Sequence, residues 1–216
     1  MKLICFDVDG TLINIEDYVW IILNNRYNFI EQDKMLYNKH IKGEITYQEW
    51  VNIDFAQYIN EGVNFKELRK IFSKYKPFEG VKETLIKIRK KGYKTVVLSG
   101  ALDILLTINN LESYFDHVLI NKIIFNSNGE ITNVKGTPYD IDKRIDGLKH
   151  LCELENISLE NTFYIGDGDN DIPMSIFMKK NGGTFIAFNP KSEELIKNAK
   201  YVVDSGDMRD ILKYII

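Results

Sequence analysis

Lys2-Leu3-Ile4-Cys5-Phe6-Asp7-Val8-Asp9-Gly10-Thr11-Leu12 opens the chain with an apolar run that stops at two carboxylates spaced two apart. In a strand, residues i and i+2 project to the same face. The pattern therefore predicts a buried strand over Leu3–Phe6 whose end presents Asp7 and Asp9 side by side. Two carboxylates this close repel unless a cation or a shared proton relieves them. In open α/β sheets the ligand crevice lies outside the carboxyl ends of the strands, which is where this pair falls.

Further short apolar runs rich in β-branched and aromatic residues follow at Thr95–Leu98, Thr162–Ile165 and Thr184–Phe188, with a weaker one at Tyr201–Val203. Helical periodicity lies between them: Val81, Leu85 and Ile88 form one stripe, and Leu148, Leu151 and Leu154 another. Strands alternating with helices predict an α/β fold with a doubly wound, Rossmann-like parallel sheet. Residues 13–76 break the rhythm. They contain no convincing strand, and stripes such as Tyr18, Ile21, Ile22 and Trp50, Val51, Asp54, Phe55, Tyr58 predict several helices. The expected organisation is a core of residues 1–13 and 77–216 with a small helical cap, residues 14–76, inserted after the first strand. Pro77 and Gly80 punctuate the return to the core. Residues 118–134 read as a hairpin, with Asn126-Ser127-Asn128-Gly129 as its turn.

Composition narrows the class. At 216 residues the chain supports one core domain with a small attachment, and a net charge of −3 gives no reason to expect nucleic acid or an anionic membrane as partner. No apolar run approaches the roughly 20 residues that span a bilayer, and a strand begins directly at the N-terminus, so a cytoplasmic location is the expectation. Two cysteines, Cys5 within a strand pattern and Cys152 within a helical one, read as small core residues rather than a disulfide.

Four candidate sites fall at strand ends or beside them: Asp7/Asp9; Ser99-Gly100; Lys143-Arg144, which opens a helix; and Gly166-Asp167-Gly168-Asp169-Asn170-Asp171. A parallel sheet gathers such ends on one edge. Asp7, Asp9, Asp167 and Asp171 offer oxygen ligands without a His or Cys cluster, which favours a hard cation, Mg²⁺ before Ca²⁺ or Zn²⁺. The last motif is no calcium loop, because position twelve counted from Asp167 is Met178 rather than an acid. A serine hydroxyl, the Gly100 amide and a lysine or arginine suit an anion with several oxygens. Together these are the parts for phosphoryl transfer: one front carboxylate can attack phosphorus and the other can move protons.

These four ordered motifs resemble those of the haloacid dehalogenase superfamily, in its phosphoserine phosphatase-like branch, from Lys2 to about Asp204. The resemblance implies Asp7 as nucleophile and metal ligand, and Asp9 as general acid/base with its carbonyl on Mg²⁺. Asp167 would complete the metal shell and Asp171 support it, while Ser99 and Gly100 hold the phosphoryl oxygens. A basic residue would neutralise charge beside Asp7. Lys143 is preferred for that place, with Arg144 the alternative, since adjacent helical residues do not share a face. The carboxylate at Asp9 favours ester hydrolysis over dehalogenation. Glu16 falls where the branch reads a substrate amine. No arginine matches the one that reads the substrate carboxylate, and the helical insertion offers Asp54 instead. The expectation is thus a Mg²⁺-dependent phosphatase acting on a small phosphorylated metabolite. A phosphotransferase or mutase, or a non-catalytic binding protein on the same scaffold, are the alternatives. Most of the insertion's aromatics should form its own small core, with one or two facing the substrate.

Overall fold

The computed structural model describes residues 1–140 and 143–216. Seven strands form one sheet in the order β4-β3-β2-β1-β5-β6-β7. They are β1 (Leu3–Phe6), β2 (Lys94–Leu102), β3 (His117–Phe125), β4 (Ile131–Lys135), β5 (Thr162–Gly166), β6 (Thr184–Phe188) and β7 (Tyr201–Val203). Every pairing is parallel except β3 with β4, the expected hairpin. β1 lies at the centre, between β2 and β5, and alternates between two cores: Ile4 and Phe6 enter one, Leu3 and Cys5 the other. A strand covered on both faces needs an unbroken apolar run, and all four residues are fully buried.

Five helices stand between β1 and β2, and the first four fall in the stretch expected as the insertion: α1 (Val19–Tyr27), α2 (Ile30–Ile41), α3 (Tyr47–Asn60) and α4 (Phe65–Phe72). α3 starts where Thr46 and Glu49 form a reciprocal capping box, and it buries Val51, Asp54, Phe55 and Tyr58 as its stripe requires. The chain leaves and re-enters the core through paired segments. The Asn14 amide donates to the Lys76 carbonyl at 2.8 Å and the Phe78 amide to that of Leu12 at 3.1 Å. The remaining helices are α5 (Val81–Lys90), α6 (Ile104–Asn109), α7 (Arg144–Glu155), α8 (Ile172–Lys180), α9 (Glu193–Asn198) and α10 (Leu212–Ile215). α5 packs Val81, Leu85 and Ile88 into one core, while α7 and α8 pack Leu148, Leu151, Met174 and Met178 into the other.

Three details differ from the sequence reading. The α7 stripe is Arg144, Gly147, Leu148 and Leu151, whereas Leu154 is 57% exposed; the helical phase carries it past the sheet. β2 continues beyond Leu98 to Leu102, and its pairing with β3 slips register between those residues, so Ser99 and Gly100 occupy an irregular stretch inside the strand rather than following its end. Cys152 is only half-buried; it and the buried Cys5 are both free thiols. No helix among the described residues is long and apolar enough to cross a membrane.

Candidate active site

The carboxyl ends of β1, β2 and β5 converge because these strands are neighbours in the sheet. The Asp7 amide extends the ladder by donating to the Ile165 carbonyl at 2.9 Å. Beyond it the chain turns tightly, and the amides of Thr11, Leu12 and Ile13 all donate to the Val8 carbonyl. Gly10 makes this turn with φ of +78°, and a Cβ there would collide with the Asp167 carboxylate. Glycine is therefore required both by the backbone and by the close approach of β5.

Asp7, Asp9, Asp167 and Asp171 are all buried. Carboxylate oxygens of Asp7, Asp167 and Asp171 lie within 4.8 Å of one another. Each surrounding contact fixes one oxygen. Asp167 accepts from the Thr11 hydroxyl at 2.9 Å and pairs with Lys191 Nζ at 3.0 Å. Asp171 accepts from the amides of Asp167 and Gly168, and from Arg144 Nη1 at 2.8 Å. Asp9 Oδ2 accepts from the Val19 amide at 2.9 Å, which ties the turn to the first residue of α1. Asp7 Oδ1 and Asp9 Oδ1 are buried without a hydrogen bond.

Burial pushes all four carboxyls up, Asp9 and Asp171 to about 8 and Asp167 to about 6. The Asp7 charge adds to the shift at the other three, whereas Arg144 and a hydrogen bond from Ser99 oppose it at Asp7. Three crowded, all-oxygen ligands with one orphaned oxygen fit a hard divalent cation, which would relieve this repulsion.

Of the two adjacent basic residues it is Arg144 that reaches the cluster. The phase that buries Leu148 and Leu151 also turns Arg144 inward, where Nη1 lies 3.8 Å from Asp7 Oδ1, while Lys143 is exposed. The preference for Lys143 is thereby corrected. Ser99 is buried, and its hydroxyl accepts from the Ala101 amide at 3.1 Å. The Gly100 carbonyl accepts from Trp20 Nε1 at 2.8 Å and Asn121 Nδ2 at 2.7 Å. Glu16 is exposed and outside the cavity; its carbonyl, not its carboxylate, meets Lys191.

A cavity of about 470 Å³ opens over these residues. Asp7, Asp9, Ser99, Gly100 and Arg144 line its floor, residues of α1, α2 and α3 such as Trp20, Asp33, Tyr47, Trp50 and Asp54 line one wall, and Asp140, Asp169, Asn170 and Pro173 also line it. Sequence reasoning missed Lys191, although it follows β6 at the same sheet edge, and it missed Asp33 and Asp140, which carry no motif.

A sequence model described as haloacid dehalogenase-like hydrolase matches residues 1–176. The chain is 29% identical over 215 residues to a phosphoserine phosphatase of Methanocaldococcus jannaschii, covering 99% of this chain and 97% of that one. It is 30% identical over 211 residues to a phosphoserine phosphatase of Idiomarina loihiensis, covering 97% and 91%. A solved structure of a phospho-aspartyl intermediate analogue of phosphoserine phosphatase matches with a TM-score of 0.70 and 28% identity, over 100% of this chain and 99% of that one. The chain belongs to the haloacid dehalogenase-like hydrolases. Within them it is a phosphoric monoester hydrolase.

Proposed function

We propose that this phosphatase works through Asp7 as nucleophile and Asp9 as proton carrier, with Mg²⁺ held by Asp7, Asp167, Asp171 and the Asp9 carbonyl. The observation that carries the reading is the pair of buried, unpartnered oxygens, Asp7 Oδ1 and Asp9 Oδ1, on one cavity floor. When bound, the cation supplies positive charge that holds the phosphoryl oxygens and lowers the repulsion between two anions.

An Asp7 oxygen attacks phosphorus and the ester P–O bond breaks. Asp9 gives its proton to the departing alkoxide oxygen, leaving an aspartyl-phosphate on Asp7. Water then attacks the same phosphorus as Asp9 takes its proton. The bond to Asp7 breaks, which restores the carboxylate and releases phosphate. The Ser99 hydroxyl and Gly100 amide hold the equatorial oxygens, and Arg144 balances the charge on Asp7. Residues 14–76 act as a cap, since the chain leaves and re-enters the core at the paired segments of Asn14 and Lys76, and helices of the insertion roof the cavity. Closing that roof excludes water while the first bond forms.

Release of inorganic phosphate from an aryl phosphate in the presence of Mg²⁺, abolished by a chelator, tests the reading. Loss of the ester without free phosphate would instead mark a transfer enzyme.

A further inference from the structure

Resting on the phosphatase reading above, we infer that the preferred substrate is a phosphomonoester whose alcohol portion carries an ammonium group and no carboxylate, held by Asp33 and Asp54 in the helical wall of the cavity. The two residues come from different helices, Asp33 from α2 and Asp54 from α3, and both line the cavity that Asp7 floors. Asp54 is 2% exposed, and its Oδ1 has no hydrogen-bond partner. Asp33 Oδ1 accepts from Trp50 Nε1 at 2.9 Å, and the two carboxyls are close enough to share a proton. No ion pair among the described residues involves either one.

Burying two carboxyls together without a cation is costly. A proton shared between them lowers that cost in the free protein, and burial first, then the neighbouring Asp33, pushes Asp54 up to about 8. An ammonium group does better, because it lets both ionise and fills the open position on Asp54. The remainder of the wall agrees. Tyr47 and Trp50, with ring centres 5.9 Å apart, line the same cavity and offer aromatic surface to a cation. Among the described lining residues six are aspartates, and Arg144 alone carries a fixed positive charge. Arg144 is already engaged by Asp7, Asp140 and Asp171. A carboxylate on the alcohol portion would find repulsion and no partner at this end.

The test compares phosphoethanolamine, O-phosphoserine and ethyl phosphate with Mg²⁺, in the wild type and in Asp54→Asn and Asp33→Asn. Wild-type kcat/KM should be about tenfold or more higher for phosphoethanolamine than for ethyl phosphate, with O-phosphoserine below phosphoethanolamine. Each substitution should bring the ratio of phosphoethanolamine to ethyl phosphate towards one, mainly through KM. If either variant fails to fold, the other variant and the wild-type ranking still decide. Equal or better use of O-phosphoserine or ethyl phosphate, or a ratio unmoved by both substitutions, would overturn the inference while leaving the phosphatase standing. Failure to hydrolyse any of the three, or an aryl phosphate, would overturn the phosphatase mechanism itself.

Discussion

Arg144 Nη1 lies 2.8 Å from Asp171 Oδ1, an ion pair in which the carboxylate is fully buried and the guanidinium nearly so. The same nitrogen is 3.8 Å from Asp7 Oδ1, so one helical residue links Asp7 to a neighbouring acid. Arg144→Ala leaves two buried carboxylates without their counter-charge. It should lower kcat by about 10²–10³-fold and destabilise the fold by about 3–5 kcal/mol, readable by steady-state kinetics and thermal melting. Arg144→Lys should recover part of both, while Lys143→Ala, on the exposed side, should stay within about twofold of wild type.

Gly10 allows the turn after β1 to pass against Asp167 with a positive φ. Gly10→Ala should cost about 1–3 kcal/mol from the backbone alone, and displace Asp167 as well. Calorimetry should show the stability loss, and titration with Mg²⁺ should show weaker binding than in the wild type. A variant with unchanged Mg²⁺ affinity would mean that this contact does not position Asp167.

Binding of Mg²⁺ to the folded state alone should raise Tm. The rise should be larger at pH 8 than at pH 5, because the cation competes with protons on carboxyls that burial has pushed up. Asp167→Asn should shrink the rise. The measurement is a melting series over Mg²⁺ concentration at the two pH values.

Asp54 gives a pH signature separate from the cluster of Asp7, Asp167 and Asp171. Its folded value of about 8 exceeds the ordinary 3.8, because burial disfavours the charge, and Asp33 from α2 adds to it. Tyr58 on the same helix also faces it, and its hydroxyl is pushed up by burial first and then by Asp54. The folded state therefore holds a proton that the unfolded chain has released. The contribution is fully present below pH 3.8 and is lost as pH rises through about 8. Asp54→Asn should flatten the fall in stability between pH 5 and 8, as measured by denaturant unfolding at each pH. An unchanged slope would show that Asp54 ionises freely in the fold.

The sheet and its carboxyl edge were legible because a strand buried on both faces must be an unbroken apolar run, and because Asp7, Ser99 and Asp167 each sit beside such a run. The choice of Arg144 over Lys143 was also within reach. Extending the Leu148 and Leu151 stripe back by seven residues from Leu151 lands on Arg144, whereas carrying it forward to Leu154 obscured the phase. Glu16 and Asp33 were not legible, since their places depend on how four helices pack above the sheet rather than on local pattern. Asp54 stood on a recognised stripe, yet only packing against α2 shows that its carboxyl is buried rather than displayed on the helix surface. Lys191 lay beyond an apolar run at the correct edge but in no motif, and only the 3.0 Å contact with Asp167 brings it into the site.

The central claim is that Asp7 carries the phosphoryl group. Asp9→Asn should slow breakdown of the covalent species, so acid quenching of this variant with Mg²⁺ and an aryl phosphate, followed by peptide mass spectrometry, tests it directly. The account predicts one phosphoryl group on the peptide that contains Asp7, and none when Asp7→Asn is added. Unmodified Asp7 alongside normal turnover, or an Asp7→Asn enzyme as fast as wild type, would contradict it.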